Sequence, residues 1–197
     1  MRLSHQGTVF GLAFLVVVCC GVAAMAEVKM EKVEYGGWPN CIRMTNGTVE
    51  LIATTDVGPR VIRYGFVGKK NEFFEDEKEM GKSDTDEYMA FGGHRLWLAP
   101  EAKPRSYHPD TRKVEAKINP NKPGTLRLIP AVETTNGVQK EIVITMAPEG
   151  SHVQLDHKLI NHNLWDIDVA PWTLTVMAPG GKAIFPQEPY SPHPDIP

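Results

Sequence analysis

Short runs in which apolar and polar positions alternate dominate this chain, and no segment keeps a helical period over ten residues. KVEAKI (113–118) sets Val114, Ala116 and Ile118 against Lys113, Glu115 and Lys117, which predicts a strand with one dry and one wet face. CIRMTNGTVELIA (41–53) predicts a hairpin, its two apolar runs flanking Asn46-Gly47, a dipeptide suited to a type I′ turn. Further strands are predicted over 60–66, 125–129, 141–145, 152–160, 173–177 and 183–185. Turn chemistry separates them at Gly58-Pro59, 120–124, Asn136-Gly137, 148–150 and 179–181. FFEDEKEMGK (73–82) predicts one short acidic turn of helix. Many short strands with regular turns predict an all-β sandwich or barrel.

The N-terminus changes the picture. Arg2 and His5 precede the apolar run VFGLAFLVVVCCGV (9–22), and Ala24-Met25-Ala26 follows it, the layout of a secretory signal peptide over residues 1–26. An uncleaved N-terminal anchor is the alternative. The run is shorter than the roughly 20 residues of a spanning helix, and no other stretch is long enough to cross a bilayer. Cys19 and Cys20 follow Val18 and Cys19, not the glycine or alanine that a lipidation site wants. Residues 27–197 are then expected as one exported domain, periplasmic or extracellular, with no membrane partner after cleavage. Of the three cysteines only Cys41 stays in it, so no internal disulfide forms and burial alone stabilises the fold. Cys41 itself is expected as a small buried hydrophobe.

The formal charge of −3, without a basic cluster, argues against nucleic acid as a partner. Asn46-Gly47-Thr48 is a glycosylation sequon in the hairpin turn, read as a plain turn asparagine. The ending FPQEPYSPHPDIP holds five prolines in thirteen residues, and reads as an unstructured terminus or as a loop whose returning strand lies beyond Pro197.

Candidate chemistry concentrates in AFGGHRLWLAPE (90–101). Two glycines allow a positive φ or a close backbone approach, so the following residues can point at a guest. Arg95 offers a planar fork of donors for vicinal hydroxyls, carboxylates or phosphates. Trp97 offers a flat apolar face of the kind that stacks on a sugar ring. His94 can move a proton near neutral pH, and Glu101 can accept hydrogen bonds from hydroxyls. The bland alternative stays open: Leu96 and Trp97 as core, Arg95 paired with Glu101, His94 as a satisfied turn residue. Arg60 and Arg63 are expected on a solvated outer strand face. Tyr107, His108 and Asp110 fall in a loop. His157 shares a strand face with Val153, Leu155 and Leu159, the setting of a core histidine, and His162 follows the strand end, exposed. HExxH, CxxC, P-loop, dinucleotide and G-x-S-x-G patterns are all missing, so neither metal nor cofactor is expected. A polyol-type site is left by elimination.

Two stretches, GGHRLWLAPE and LINHNLWDIDVAPWTLTVMAPGG, carry a resemblance to the galactose-mutarotase-like superfamily. The chain is similar in particular to its secreted members that carry a domain of unknown function. The likeness runs from about Val28 to the end. It implies a supersandwich of antiparallel sheets whose concave face receives a carbohydrate, incomplete here at the C-terminus because the family's domain is longer. Arg95 matches the family's substrate-contacting arginine. The strand of the catalytic histidine corresponds to VAPWTLT, where this chain has Trp172, and the family's glutamate base lies beyond Pro197. The resemblance thus implies an exported carbohydrate- or polyol-binding protein using Arg95, His94, Trp97, Glu101 and Trp172. Two rival readings remain. One is an aldose 1-epimerase-like isomerase with His94 or His108 as acid. The other is an accessory domain with an unspecified protein partner.

Overall fold

The structure, a computed structural model, describes residues 27–187 and Pro189. The predicted signal segment and the last residues of the proline-rich tail lie outside them. Ten strands form two sheets, with every pairing antiparallel. Strands β1 (Lys29–Tyr35), β2 (Trp38–Thr45), β3 (Val49–Thr54), β4 (Arg60–Phe66), β5 (Gly93–Ala99) and β10 (Ala170–Val176) make a six-stranded sheet in the order β1-β2-β3-β4-β5-β10. Strands β6 (Glu115–Ile118), β7 (Thr125–Ile129), β8 (Val138–Met146) and β9 (Val153–Asn161) make a four-stranded sheet in chain order. A single 3₁₀ turn, Arg105–Tyr107, is the only helix among the described residues. Of the sandwich or barrel expected from the many short strands, an all-β arrangement of two antiparallel sheets, a sandwich, is what forms.

Alternation decides the core. Met44, Leu51, Ala53, Val61 and Leu96 point from the six-stranded sheet onto Leu126, Leu128, Ile142, Ile144 and Met146 of the four-stranded one. Each fully buried aliphatic side chain contributes about 1.5–3 kcal/mol. Val153, Leu155 and Leu159 of β9 pack on this core from one edge, on the face expected of them.

A second apolar layer lies on the other side of the six-stranded sheet. Trp38, Cys41, Ile52, Val57 and Ile62 are covered there by Met80, Met89 and Phe91 of the β4–β5 connection, residues 67–92. Trp38 meets Phe91 edge to face at 5.3 Å and donates its indole N–H to Lys82 O at 2.9 Å. Cys41 is fully buried, as expected, and burial pushes its thiol up to about 12. Within the same connection, residues 73–82 form no helix: Asp76 O accepts from the Glu79 and Met80 N–H groups in one isolated turn.

Four expectations need correction. The sequence pattern does not mark β5 as a strand, because His94 and Arg95 break its apolar run, yet both of its faces are covered. β1 was missed as an exposed edge strand with four charges among its seven residues. Residues 183–185 are not a strand; Ile184 and Phe185 are 95% and 77% exposed and pair with nothing described. The β2–β3 turn is not type I′, since Gly47 has φ +87° but Asn46 has no positive φ. Instead Asn46 Oδ1 accepts from the Thr48 and Val49 N–H groups, both at 3.0 Å. Its Nδ2 donates to Ala147 O and Gly150 O, so the sequon amide is engaged within the fold.

Candidate functional site

The two glycines ahead of β5 serve packing first. Gly92 and Gly93 have φ of +98° and +67°. A Cβ at Gly93 would sit 2.2 Å from Val61 O, and one at Gly92 2.1 Å from Phe74 O. They let the chain press against β4 and the Phe74 backbone before β5 begins. Phe91 just before them is held at φ +51°, a rare conformation for an aromatic residue, between Trp38 and the Arg60 guanidinium.

From Gly93 onward strand alternation separates the candidates. Arg95 and Trp97 point outward, away from the four-stranded sheet, while His94 and Leu96 point into the sandwich. On the outward face the Arg95 guanidinium lies over the Trp97 ring at 4.4 Å. Trp97 is also ringed edge-on by Trp172 at 5.5 Å, Tyr88 at 5.5 Å and Tyr107 at 5.3 Å. Trp172 reaches it because β10 pairs with β5 in the register Trp172↔Trp97. Arg95 and Trp97 are buried, Trp172 is half-buried, and Tyr88 is 40% exposed. Burial raises the Tyr88 phenol above its ordinary value, and the nearby Arg95 charge opposes that rise.

Arg95 does not pair with Glu101. Its Nη1 donates to Ala90 O at 2.9 Å, while the exposed Glu101 carboxylate accepts from the Tyr107 hydroxyl at the rim of the patch. Arg60, expected in solvent, is fully buried beside Arg95, its register partner across β4–β5. It donates to Ala90 O and Gly92 O and forms an ion pair with Asp110 at 2.6 Å. Arg63 is mostly buried too, and donates to Glu50 from Nε and Nη2 at 3.0 and 2.8 Å. Both corrections share a cause: the β4–β5 connection and the 105–112 segment cover this sheet face, so Arg60 and Arg63 are matched by carboxylates rather than by water.

Asp110 also lines a cavity of about 310 Å³ at the end of the sandwich, with His108, Arg112, Glu133 and Pro130. His108 Nδ1 bonds the Thr135 hydroxyl at 2.8 Å. Burial lowers the His108 imidazole below its ordinary value, and the Glu133 carboxylate acts against that. Glu133 is itself buried in an ion pair with Lys140. None of the five hollows measured on the described surface takes Arg95, Trp97 or Trp172 into its wall. Within the patch Arg95 and Trp97 are covered, and Tyr88 and Trp172 are its accessible rings.

His94 is absent from this patch. Its Nε2 lies 2.8 Å from His157 Nε2 on β9, and its Nδ1 lies 2.7 Å from the Thr175 hydroxyl on β10. Burial first, then the charges of His157 and Arg60, pushes its imidazole down to about 4. Burial lowers His157 as well. Two neutral rings then share one N–H between their Nε2 atoms, and in either tautomer the Thr175 hydroxyl completes the chain. The expected inward face of His157 is correct, and its partner is a histidine.

Of the sequence candidates, Arg95, Trp97 and Trp172 meet on one face, Glu101 sits at its rim, His108 lies in the neighbouring cavity, and His94 is on the opposite face. Tyr88 and the Arg60–Asp110 pair were not anticipated as parts of the site. An aromatic residue in the polar run SDTDEYMAFGG was the one available signal for Tyr88. Among the described residues no three His, Cys, Asp or Glu side chains are grouped to hold a metal. No family model, curated protein or solved structure matches this chain.

Proposed function

We propose that this chain is an exported carbohydrate-binding protein of the galactose-mutarotase-like kind, and that a sugar or polyol docks on the outer face of β4, β5 and β10. The observation that carries the reading is the Arg95 guanidinium stacked at 4.4 Å on Trp97 within a set of four aromatic rings. Indole and phenol rings offer apolar faces to the C–H side of a sugar, and a guanidinium fork offers donors to its hydroxyls. Trp172, half-buried on an edge strand, is the ring placed to meet a guest without disturbing the core.

Titration of mono- and oligosaccharides against tryptophan fluorescence is expected to give saturable changes. Trp172→Ala should weaken binding about fivefold or more, the loss of one stacked ring being worth about 1–3 kcal/mol. An unresponsive signal across a broad sugar panel, with Arg95→Ala behaving like the parent, would defeat the reading.

A second reading rests on the cavity beside His108. The His108 imidazole lines one wall and is able to exchange a proton with a bound hydroxyl group, while Asp110 and Glu133 beside it are held by Arg60 and Lys140. On that reading the protein is an aldose epimerase-like isomerase. Proton NMR of an anomer-enriched hexose would then show equilibration faster than buffer, abolished by His108→Gln. Equilibration at the buffer rate removes it.

A further inference from the structure

On the outer face of β4 and β5 the neighbouring Arg60 and Arg95 guanidinium groups have one carboxylate between them, whereas Arg63 is matched by Glu50. Arg60 and Arg95 are register partners and both donate to Ala90 O at 2.9 Å. Asp110 is taken by Arg60 at 2.6 Å. Arg95, 8% exposed, forms no ion pair among the described residues, and its Nε is buried without a hydrogen-bond partner. Glu79, the other carboxylate that influences Arg95, accepts the Phe91 N–H at 2.8 Å and forms no ion pair with it.

A guanidinium stays charged in proteins, so removal from water leaves it needing a counter-charge. The Trp97 face beneath it supplies only part of that need, because a ring quadrupole is weaker than a carboxylate. A buried cation with one backbone hydrogen bond, no anion, and aromatic walls is the chemistry of an anion receptor.

Resting on the carbohydrate reading, we propose that the guest is an acidic sugar, a hexuronate, whose carboxylate pairs with Arg95 while its ring lies against Trp172, the half-buried ring beside Trp97. Charge matching selects the carboxylate. One uncompensated cation balances one negative charge, whereas a phosphate monoester would bring nearly two into a chain of formal charge −3. The planar guanidinium fork also matches a planar carboxylate in two parallel hydrogen bonds.

The test titrates the full chain with galacturonate and glucuronate, with galactose and glucose, with galactose 6-phosphate, and with acetate and sulfate, all at one ionic strength. Tryptophan fluorescence and thermal unfolding are both recorded. The hexuronates should bind at least about tenfold more tightly than their neutral parents, the factor that corresponds to 1.4 kcal/mol. They alone should raise the unfolding midpoint of the unmodified protein. Arg95→Gln should bring hexuronate affinity down to that of the neutral sugar, and Arg95→Lys should restore part of it. If either variant fails to fold, the comparison among ligands on the unmodified chain still decides the matter.

Equal binding of hexuronate and neutral hexose overturns the inference while leaving the carbohydrate reading standing. Binding of no sugar at all ends both. Tighter binding of the sugar phosphate, or acetate and sulfate matching the hexuronates, overturns it as well, by showing a different anion or a site indifferent to the ring.

Discussion

Asp110→Ala is expected to lower the free energy of unfolding by roughly 3–5 kcal/mol, the range for removing one partner of a buried ion pair. Arg60 is fully buried, and Asp110 is the single carboxylate paired with it. Without it, the charge and a donor of Arg60 are left unmet beside a second guanidinium, that of Arg95. For a domain of this size the loss corresponds to a fall in unfolding midpoint of roughly 6–20 °C. Asp110→Asn keeps the shape and an acceptor oxygen, so it isolates the charge and should still lose most of that stability. Arg60→Met combined with Asp110→Ala should be less damaging than the two single losses added together, because no charge is then stranded. Urea unfolding of the parent, Asp110→Ala, Asp110→Asn, Arg60→Met and the double variant measures this directly. A loss below about 1 kcal/mol for Asp110→Ala would mean that water reaches the pair.

Acidification is expected to destabilise the protein before its carboxylates titrate. His94 ionises near its ordinary value of 6.5 in the unfolded chain but is held down to about 4 in the folded one. Between those values the unfolded state binds more protons, so stability rises with pH across the window and is lost as pH falls through it. The whole shift is worth about 3 kcal/mol, of which about 2 kcal/mol should be gone by pH 5. His157 is lowered in the same direction and adds to the effect. Replacing both rings with phenylalanine should flatten the dependence between pH 7 and pH 5, as read from urea midpoints at fixed salt. A stability that does not change over that range in the parent protein would show that the imidazoles are already in contact with water.

The relation between chain and fold is uneven across the elements. β7 and β4 are legible to the residue, because their apolar positions alternate and their ends carry Gly58-Pro59 or 120–124 turn chemistry. β5 was illegible for the reason that makes it central. A strand covered on both faces loses the alternation that marks a half-exposed one, and buried arginines mimic solvated ones. The 183–185 triplet fails in the opposite way, being apolar without a neighbour to pair with among the described residues.

The candidate site divides along the same line. That Arg95 and Trp97 belong together follows from spacing alone, since residues two apart on a strand share a face. That Trp172 joins them depends on a pairing across some 75 residues, and that His94 leaves them depends on which face of β5 meets the second sheet.

Local pattern alone determined that this chain is a set of short strands, that Cys41 is interior, and that His157 faces the core. Each is a statement about period or polarity within a few neighbouring residues, and such periods survive without knowledge of the partner. Only the tertiary structure decided which charges are buried: Arg60 with Asp110, Lys140 with Glu133, Arg95 without a carboxylate. The reason is physical. The cost of a charge is set by the water that distant segments remove and by the counter-ions those segments bring, and neither quantity is written in the residues beside it.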